Sequence, residues 1–310
     1  MPRAVQFDHY GGIEVLHVTE VEKPVPNGKE VVVRVKAAGI NPGEAKIREG
    51  LLDSRWPANF PSGQGTDFAG IVDSVGEWVT KFKPGDEVAG YTHNRASQAD
   101  YVLVDEANLA VKPPSVTWEV AGSLFVAGTT AYAAVHAVGA GPKDKVIVSG
   151  AAGGVGSIAT QLAKLKGADT FGIAGDHDQD WLRGRGITPI SYKGELEDIE
   201  ARIRELAPNP DAFIDTVGGG YVKMAVKLRI KPERIDTITD FETAQLHGAK
   251  TIGGSEAASA PVLQELLDDI ANGSLVVPIA RSFKLEEVQD AFDFLENQHH
   301  RGKVVLLTDT

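Results

Sequence analysis

The sequence predicts an α/β protein made of two parts, a β-rich, barrel-like part and a doubly wound parallel sheet. Two patterns of residues lead to this prediction. Up to about residue 120, short apolar segments bounded by glycine and proline follow one another closely, which is typical of a rolled-up sheet or barrel. From residue 146 to residue 217, apolar strands alternate with helical segments, which is typical of a doubly wound sheet.

The elements of the β-rich part come first. Its strands are predicted at 31–35, 69–75 and 101–104, where β-branched residues are frequent. A Lys-Pro-Gly turn at 83–85 leads into a further short strand that ends near residue 89. After the two prolines at 113–114 the pattern becomes helical and rich in alanine, from residue 118 to residue 138.

The strand–helix alternation follows. Its strands are predicted at 146–149, 170–174, 189–191 and 212–217, and they are separated by helices at 157–166, 178–184 and 195–206. A further helix is predicted at 259–272, because Pro261 suits its first turn and Gly273 its end. A last helix at 285–295 precedes a terminal strand at 304–307.

Composition narrows the possible functions. The chain has 310 residues, which suits two domains, and its net charge is −12 with a pI of about 5.2. Partners such as nucleic acid or an anionic membrane are therefore not expected, since both require basic patches. The chain has no cysteine, so disulfides and thiolate metal sites are excluded. We expect a cytoplasmic protein, because no apolar signal segment or membrane-spanning run of ~20 residues is present.

A glycine-rich turn follows the first strand of the alternation. It reads Ala151-x-Gly153-x-x-Gly156, a variant of the Gly-x-Gly-x-x-Gly fingerprint of dinucleotide-binding proteins. A strand before the turn and a helix after it favour a pyrophosphate site, because the backbone N–H groups of a helix start attract an anion. The cofactor-binding residues predicted here are Ala151, Gly153, Gly154, Val155 and Gly156.

Asp176 lies twenty positions after Gly156, the spacing at which an acidic residue binds the ribose hydroxyls of NAD. The alternative is that Asp176 only caps the helix that follows it. A carboxylate there would repel the 2′-phosphate of NADPH, so the local residues slightly favour NADH. The predicted cofactor is NADH or NADPH.

Short motifs along nearly the whole chain resemble the zinc-independent medium-chain dehydrogenases/reductases, and among them the quinone oxidoreductases. The resemblance implies a GroES-like, barrel-like catalytic domain at 1–120 and 258–310, and a Rossmann domain at 121–257. Relatives commonly dimerise, so a homodimer is expected. The motifs lie at 38–42 (AGINP), 47–50 (IREG), 65–72 (GTDFAGIV), 82–88 (FKPGDEV), 127–132 (AGTTAY), 150–156 (GAAGGVG), 215–219 (DTVGG) and 302–305 (GKVV).

The resemblance also implies roles for residues on the substrate side. Thr66 and Asp67 stand where zinc-dependent relatives have His and Glu, and no metal site is expected. Asn41 stands at the place of a cysteine ligand and would hydrogen-bond the substrate carbonyl or the nicotinamide ribose; the alternative is a turn residue before a proline. Lys46 replaces a tyrosine of many relatives, and it either polarises the carbonyl or is simply solvated.

On the cofactor side, the resemblance implies three further residues. Thr130 is expected close to the nicotinamide amide, or else it is an ordinary helix residue whose hydroxyl bonds backward to a carbonyl. Tyr192 is expected near the 2′-phosphate of NADPH. Val217, within the motif at 215–219, is the last predicted cofactor-binding residue.

The resemblance implies an NAD(P)H-dependent oxidoreductase that transfers hydride to a quinone or an α,β-unsaturated carbonyl compound without zinc. Two alternatives stay open at this point. The same scaffold could reduce an enoyl thioester or an alkenal, because the lining of the substrate pocket cannot be deduced from the sequence. It could also be a nucleotide-binding regulatory protein without turnover, because the cofactor fingerprint suits both.

Overall fold

The computed structural model describes residues 1–309, which form two compact units. The first unit contains residues 1–126 and 259–272 and the chain from Pro278 onward, and the second contains residues 127–258 and 273–277. No helix among the described residues is long and apolar enough to cross a membrane.

The first unit is built on β-sheets. Its strands are β1 (Arg3–Phe7), β2 (His17–Glu20), β3 (Glu30–Ile40), β4 (Ser62–Gly63), β5 (Asp67–Val75), β6 (Glu87–Tyr91), β7 (Tyr101–Asp105), β8 (Leu109–Val111), β14 (Ile279–Lys284) and β15 (Lys303–Leu307). The larger sheet has the order β14-β15-β3-β5-β6-β8, with β7 also paired to β3, and a smaller sheet has the order β2-β1-β4. The helices of this unit are α1 (Pro42–Arg48), α2 (Trp118–Gly122), α10 (Ala260–Ala271) and α11 (Val288–Asn297).

β3 is the central strand of the larger sheet. Most of its residues are buried, because it pairs antiparallel with β5, β7 and β15. The ends of these paired strands bring residues near position 40 close to residues near positions 67 and 303, as the pairing of Val304 with Ile40 and of Ala69 with Ala37 requires.

The second unit contains a five-stranded parallel sheet and its helices. The chain passes into it within α3 (Phe125–Ala137). The further elements are β9 (Lys145–Val148), α4 (Gly156–Leu165), β10 (Asp169–Ala174), α5 (Gln179–Gly184), β11 (Thr188–Ser191), α6 (Leu196–Leu206), β12 (Ala212–Asp215), α7 (Tyr221–Lys227), β13 (Ile235–Thr237), α8 (Phe241–His247) and α9 (Gly254–Ala257).

The strand order of this sheet is β11-β10-β9-β12-β13, so its first strand along the chain lies in the middle. This is the 3-2-1-4-5 arrangement of a doubly wound sheet, and the strand order reverses between β9 and β12. Apolar side chains of the strands and helices, among them Ile147, Phe213, Ile203 and Val222, form a buried core. The prediction of a doubly wound parallel sheet is therefore confirmed.

The predicted elements exist, but several bounds differ. The alanine-rich helix at 118–138 is two helices, α2 and α3, and the helix at 285–295 begins as a 3-10 turn (Leu285–Glu287) before α11. The strand predicted at 212–217 ends at Asp215, because the Asp215 carboxylate accepts hydrogen bonds from the N–H groups of Val217 (3.0 Å) and Gly218 (2.9 Å) and turns the chain. The sequence patterns did not predict β1, β2, β4, β8, β13, β14, α7, α8 and α9.

Candidate active site

The glycine turn (residues 150–156) connects the carboxyl end of β9 to α4. Gly150 has φ +59°, a left-handed conformation that glycine adopts without strain. The Ala151 N–H donates to the Ile173 carbonyl (2.9 Å), and the Gly153 N–H donates to the Gly150 carbonyl (2.9 Å). The turn is therefore fixed next to the point where the strand order reverses, which is where doubly wound sheets bind ligands.

The two glycines predicted to matter in this turn have different surroundings. A Cβ added at Gly156 would lie 2.1 Å from the Gly150 carbonyl oxygen, so a side chain there is sterically impossible without moving the backbone. A Cβ added at Gly153 would meet only that same oxygen, at 3.3 Å. Gly156 therefore allows the turn to pack on the helix, and Gly153 leaves open space beside the turn.

The start of α4 offers unpaired hydrogen-bond donors. Within residues 1–309 the backbone N–H groups of Gly154, Val155 and Gly156 donate to no protein acceptor, whereas the Ser157 N–H donates to the Gly153 carbonyl (3.0 Å). Unpaired N–H groups at the positive end of a ten-residue helix favour an anion. Open space at Gly153 and these donors fit the pyrophosphate of a dinucleotide.

The end of β12 lies beside the glycine turn. The Asp215 carboxylate accepts hydrogen bonds from the Ser149 hydroxyl (2.7 Å) and the Thr237 hydroxyl (2.9 Å), which ties β12 to its two neighbouring strands. Val217 follows with 55% of its surface exposed, and its Cγ2 would lie 2.7 Å from a Cβ added at Gly150. The structure thus brings Val217 against the glycine turn.

Asp176 lies just after β10, in a 3-10 turn (Asp176–Asp178) that leads into α5. Its carboxylate accepts a hydrogen bond from the Ser191 hydroxyl (2.7 Å) and pairs with the Lys193 ammonium (2.9 Å). These two hydrogen bonds lower the pKa of Asp176, the one from Ser191 most strongly. Asp176 is therefore an anion that already has a cationic partner.

Tyr192 lies between the two residues that hold Asp176. Its hydroxyl would be 3.2 Å from a Cβ added at Gly175, so it faces the same loop as Asp176. Because β10 and β9 are parallel neighbours, this loop and the glycine turn both lie at the carboxyl edge of the sheet. The structure thus brings Tyr192 and Asp176 together, on the edge that carries the glycine turn.

Thr130 lies inside the second unit. It is buried in α3 together with Thr129, with 8% and 1% of their surfaces exposed. A Cβ added at Gly254 would lie 2.8 Å from the Thr130 hydroxyl, so the threonine pair lies against the start of α9. Its contact with the nicotinamide amide stays a prediction.

In the first unit, Asn41 belongs to a buried polar cluster, here called the Asn41 network: Asn41, Glu44, Asp67, Gln98 and Lys303. Each of these side chains is at most 7% exposed. The Asn41 amide donates to Glu44 Oε1 (3.1 Å) and to Asp67 Oδ2 (3.2 Å), and its oxygen accepts from the Lys303 ammonium. The Gln98 amide donates to Glu44 Oε2 (3.0 Å).

Burial shifts the pKa values of the ionisable groups in the Asn41 network. Loss of water, helped by the nearby Asp67 carboxylate, raises the pKa of Glu44 to about 7, against the lowering effect of hydrogen bonds from Asn41 and of the Lys303 charge. Burial also raises the pKa of Asp67, against the lowering effect of Lys303. Burial lowers the pKa of Lys303, and the nearby carboxylates of Asp67 and Glu44 oppose this by raising it. The cluster therefore holds charges that depend on one another.

Lys46 has a different environment from Asn41. It lies on α1 two positions after Glu44, so it points to a different face of the helix, and its side chain is exposed to solvent. An exposed ammonium is available to an incoming carbonyl oxygen, and it is equally suited to water. The structure thus separates the two predicted substrate-side residues into a buried one and an exposed one.

Sequence reasoning missed several residues that the structure brings to these sites. Lys193 lies one position after the predicted Tyr192. Its signal in the sequence was a basic residue close to the predicted cofactor-binding residues Tyr192 and Asp176. Lys303 begins the strand Lys-Val-Val-Leu-Leu, and a lysine in a buried apolar strand was the available signal. Glu44 lies three positions after Asn41, and this capping-box spacing was the available signal for it. Asp67 and Gln98 gave no signal of their contact with the cluster, because their partners are remote in the sequence. Among the described residues, no group of three or more His, Asp or Glu side chains is placed to hold a metal ion.

The fold and the site together define a dinucleotide-binding dehydrogenase/reductase of the medium-chain type. Residues 27–145 match the family model "Alcohol dehydrogenase GroES-like domain", and residues 198–306 match "Zinc-binding dehydrogenase". The chain is 33% identical over 327 residues to the chloroplastic quinone-oxidoreductase homolog of Spinacia oleracea, covering 98% of this chain and 97% of the relative. It is 31% identical to the chloroplastic NADPH-dependent alkenal/one oxidoreductase of Arabidopsis thaliana, covering 98% of this chain and 79% of the relative.

A solved structure agrees with these relatives. The Escherichia coli quinone oxidoreductase complexed with NADPH superposes with a TM-score of 0.85 at 26% identity, covering 98% of this chain and 99% of that one. The chain belongs to the quinone oxidoreductase family of medium-chain dehydrogenases/reductases. The resemblance identified from the sequence is therefore confirmed, and so is the expected combination of a GroES-like domain with a Rossmann domain.

Proposed function

We propose that this protein reduces quinones or α,β-unsaturated carbonyl compounds with NADPH or NADH as the hydride donor. The observation that carries the proposal is the start of α4, where three unpaired N–H groups and the space beside Gly153 form an anion site at the carboxyl edge of a doubly wound sheet. The nicotinamide cofactor supplies the hydride, and the protein supplies binding, orientation and electrostatics. The quinone and alkenal/one relatives support this substrate class.

Catalysis and cofactor binding would belong to different segments of the chain. Residues 1–120 and 258–310 would form the catalytic domain, and residues 121–257 would bind the cofactor. Within the second segment, the glycine turn would hold the pyrophosphate through backbone N–H groups. Asp176 and Tyr192 would contact the adenosine ribose, and Val217 and Thr130 would line the path toward the nicotinamide. The shared sheet edge of the glycine turn, Val217 and the Asp176 loop supports this arrangement.

On the substrate side, Asn41 and Lys46 are the proposed catalytic residues. Hydride transfer to a carbonyl or quinone leaves negative charge on an oxygen, which a hydrogen-bond donor stabilises. Both amide hydrogens of Asn41 are donated to Glu44 and Asp67, so binding the substrate oxygen would exchange one of these bonds. The exposed Lys46 ammonium would supply a second hydrogen-bond donor, which is positively charged, and the last proton would come from water.

Cofactor choice would depend on the pair Asp176 and Lys193. An unpaired carboxylate would repel the 2′-phosphate of NADPH. Because Lys193 forms an ion pair with Asp176, the loop presents an anion for ribose hydroxyls and a cation for a phosphate. This pairing supports binding of both cofactors, and the NADPH complex of the Escherichia coli relative supports NADPH.

The proposal also includes the oligomeric state of the protein and its location in the cell. The protein would be a homodimer, paired through the edge of the parallel sheet at which β11 is the outermost strand. The other edge strand, β13, is already bridged to Lys250. The protein would be cytoplasmic. Light scattering coupled to size-exclusion chromatography tests the dimer, because the monomer mass is 33.0 kDa and a monomer at micromolar concentration would contradict it.

The experiment that tests the proposed function measures oxidation of NADPH and of NADH with a simple quinone, an enone, an alkenal and an enoyl thioester in parallel. Turnover with the quinone or enone is the expected result. Turnover with only the alkenal or the enoyl thioester would assign the alternative activity on the same scaffold. Binding of cofactor without oxidation by any acceptor would indicate a nucleotide-binding regulatory protein.

A further inference from the structure

Lys303 is a buried lysine in an otherwise apolar strand. It is the first residue of β15, whose other residues are Val304, Val305, Leu306 and Leu307, and only 4% of its surface is exposed. Burying an ammonium group is strongly unfavourable until its partners compensate, whereas an aliphatic side chain at a strand position has no such cost. The two hydrogen bonds that its ammonium donates are to the Ile40 carbonyl (3.2 Å) and to Asn41 Oδ1.

The chemistry of these partners fixes the orientation of the Asn41 amide. An ammonium group only donates hydrogen bonds, so the amide oxygen must face Lys303. A carboxylate only accepts, so the amide nitrogen must face Glu44 and Asp67. The Asn41 amide therefore bridges a cation on one side and two carboxyl groups on the other, and a flipped amide would lose all three hydrogen bonds.

We propose that Lys303 is a positioning residue for the reaction, which acts by holding the Asn41 amide in the one orientation that presents its N–H groups away from β15. This inference rests on the proposed function, in which Asn41 stabilises the charge that develops on the substrate oxygen. A hydrogen bond from an ammonium to the amide oxygen also polarises the amide, and this makes its N–H groups better donors. Lys303 thus acts on the substrate through Asn41.

The charges around Lys303 come from three different elements. Glu44 faces the cluster from α1, Asp67 from β5 and Lys303 itself from β15, and Gln98 contributes a neutral amide. Asp67 is also fixed from a fourth side, because its Oδ1 accepts from the Val126 N–H (3.0 Å). Removing Lys303 alone would leave two carboxyl groups without a cation, and the protein could unfold for that reason alone.

The test therefore compares Asp67→Asn with the double variant Asp67→Asn/Lys303→Met. Asp67→Asn keeps an acceptor for the Asn41 amide and keeps Lys303, and the double variant removes the cation together with one carboxylate. We expect both variants to fold and to bind NADPH with equal dissociation constants. The double variant should have kcat for quinone reduction lower by roughly 10- to 100-fold than Asp67→Asn, as expected when a reacting group is misplaced. Equal kcat in the two variants would overturn the proposal.

A second readout does not depend on activity. In protein labelled with ¹⁵N-asparagine, the side-chain amide resonances of Asn41 are identified by their loss in Asn41→Ser. We expect these resonances to shift or broaden, and their hydrogen exchange to accelerate, when Lys303→Met is added to Asp67→Asn. Unchanged resonances would overturn the proposal. If the wild type reduces neither quinone nor enone, the proposed function fails, and the amide spectra still decide whether Lys303 holds Asn41.

Discussion

The glycine turn and the Asn41 network are two polar sites that are built in opposite ways. The glycine turn is one segment of seven consecutive residues, leaves three of its backbone N–H donors unpaired and is partly exposed. The Asn41 network uses side chains from positions 41 to 303, pairs its amide completely and is buried. The first offers a ligand donors that are already open, whereas in the second a ligand would have to exchange with a hydrogen bond that is already made.

The largest expected effect comes from adding a side chain at Gly153, which occupies the open space beside the glycine turn. Gly153→Val should raise the dissociation constant of NADPH roughly 1000-fold, if the side chain abolishes two charge-assisted hydrogen bonds worth about 2 kcal/mol each. The fold should be retained, because a Cβ at this position meets only one oxygen, at 3.3 Å. Fluorescence titration of NADPH, with circular dichroism as the check on folding, measures both quantities.

Gly156→Ala is the matched control for the glycine turn. Its Cβ would lie 2.1 Å from the Gly150 carbonyl oxygen, so it should lower the free energy of unfolding by several kcal/mol as a backbone clash does. An unfolded Gly156→Ala beside a folded Gly153→Val that does not bind cofactor supports separate roles for the two glycines. A folded Gly153→Val that binds NADPH as the wild type does refutes the assignment of the turn.

In the Asn41 network, the sharper test is the pH dependence of stability. The pKa of Glu44 is raised from 4.5 to about 7 in the folded state, so its charged form is destabilised by folding. A raised carboxyl pKa gives stability that is present below about pH 4.5 and is lost as the pH rises toward 7. Glu44→Gln removes this titration. The variant should gain free energy of unfolding relative to the wild type between these two pH values, by on the order of 3 kcal/mol.

Denaturant unfolding of the wild type and of Glu44→Gln at several pH values from 4 to 8 measures this difference. The glutamine amide can be accommodated if the Gln98 amide, which now donates to Glu44, turns over, because Gln98 Oε1 is buried without a partner and then accepts a hydrogen bond from it. A difference in stability that does not change with pH would mean that Glu44 does not titrate in this range. Burial would then not raise the pKa of Glu44 in the way proposed for the Asn41 network.

The smallest expected effect is on cofactor preference, and it comes from the exposed ion pair of Asp176 and Lys193. Asp176→Ser should shift the preference from NADH toward NADPH by roughly tenfold, because the variant frees Lys193 for the 2′-phosphate. Lys193→Ala should shift it in the opposite direction, because Asp176 then lacks a counter-ion. Dissociation constants of both cofactors for the two variants give the ratio. An unchanged ratio with lower stability of Asp176→Ser would make Asp176 only a helix cap.

The same contrast explains what the sequence could predict. Gly153 and Gly156 lie in one short segment, and strand, turn and helix spacing are local properties, so the glycine turn and the doubly wound sheet could be predicted without a structure. Lys303 and Asp67 meet Asn41 only because β15 and β5 both pair with β3. Such long-range register is not encoded in any local pattern, so the network could not be predicted. β14 also escaped prediction, because its residues have no clear alternation.

The most direct test of the account is a steady-state measurement of NADPH oxidation by the wild type with a simple quinone, run beside Gly153→Val. The account predicts that the wild type oxidises one NADPH for each quinone reduced by two electrons, and that Gly153→Val loses this activity at cofactor concentrations that saturate the wild type. A wild type that binds NADPH but leaves it unoxidised with both quinone and enone would contradict the account.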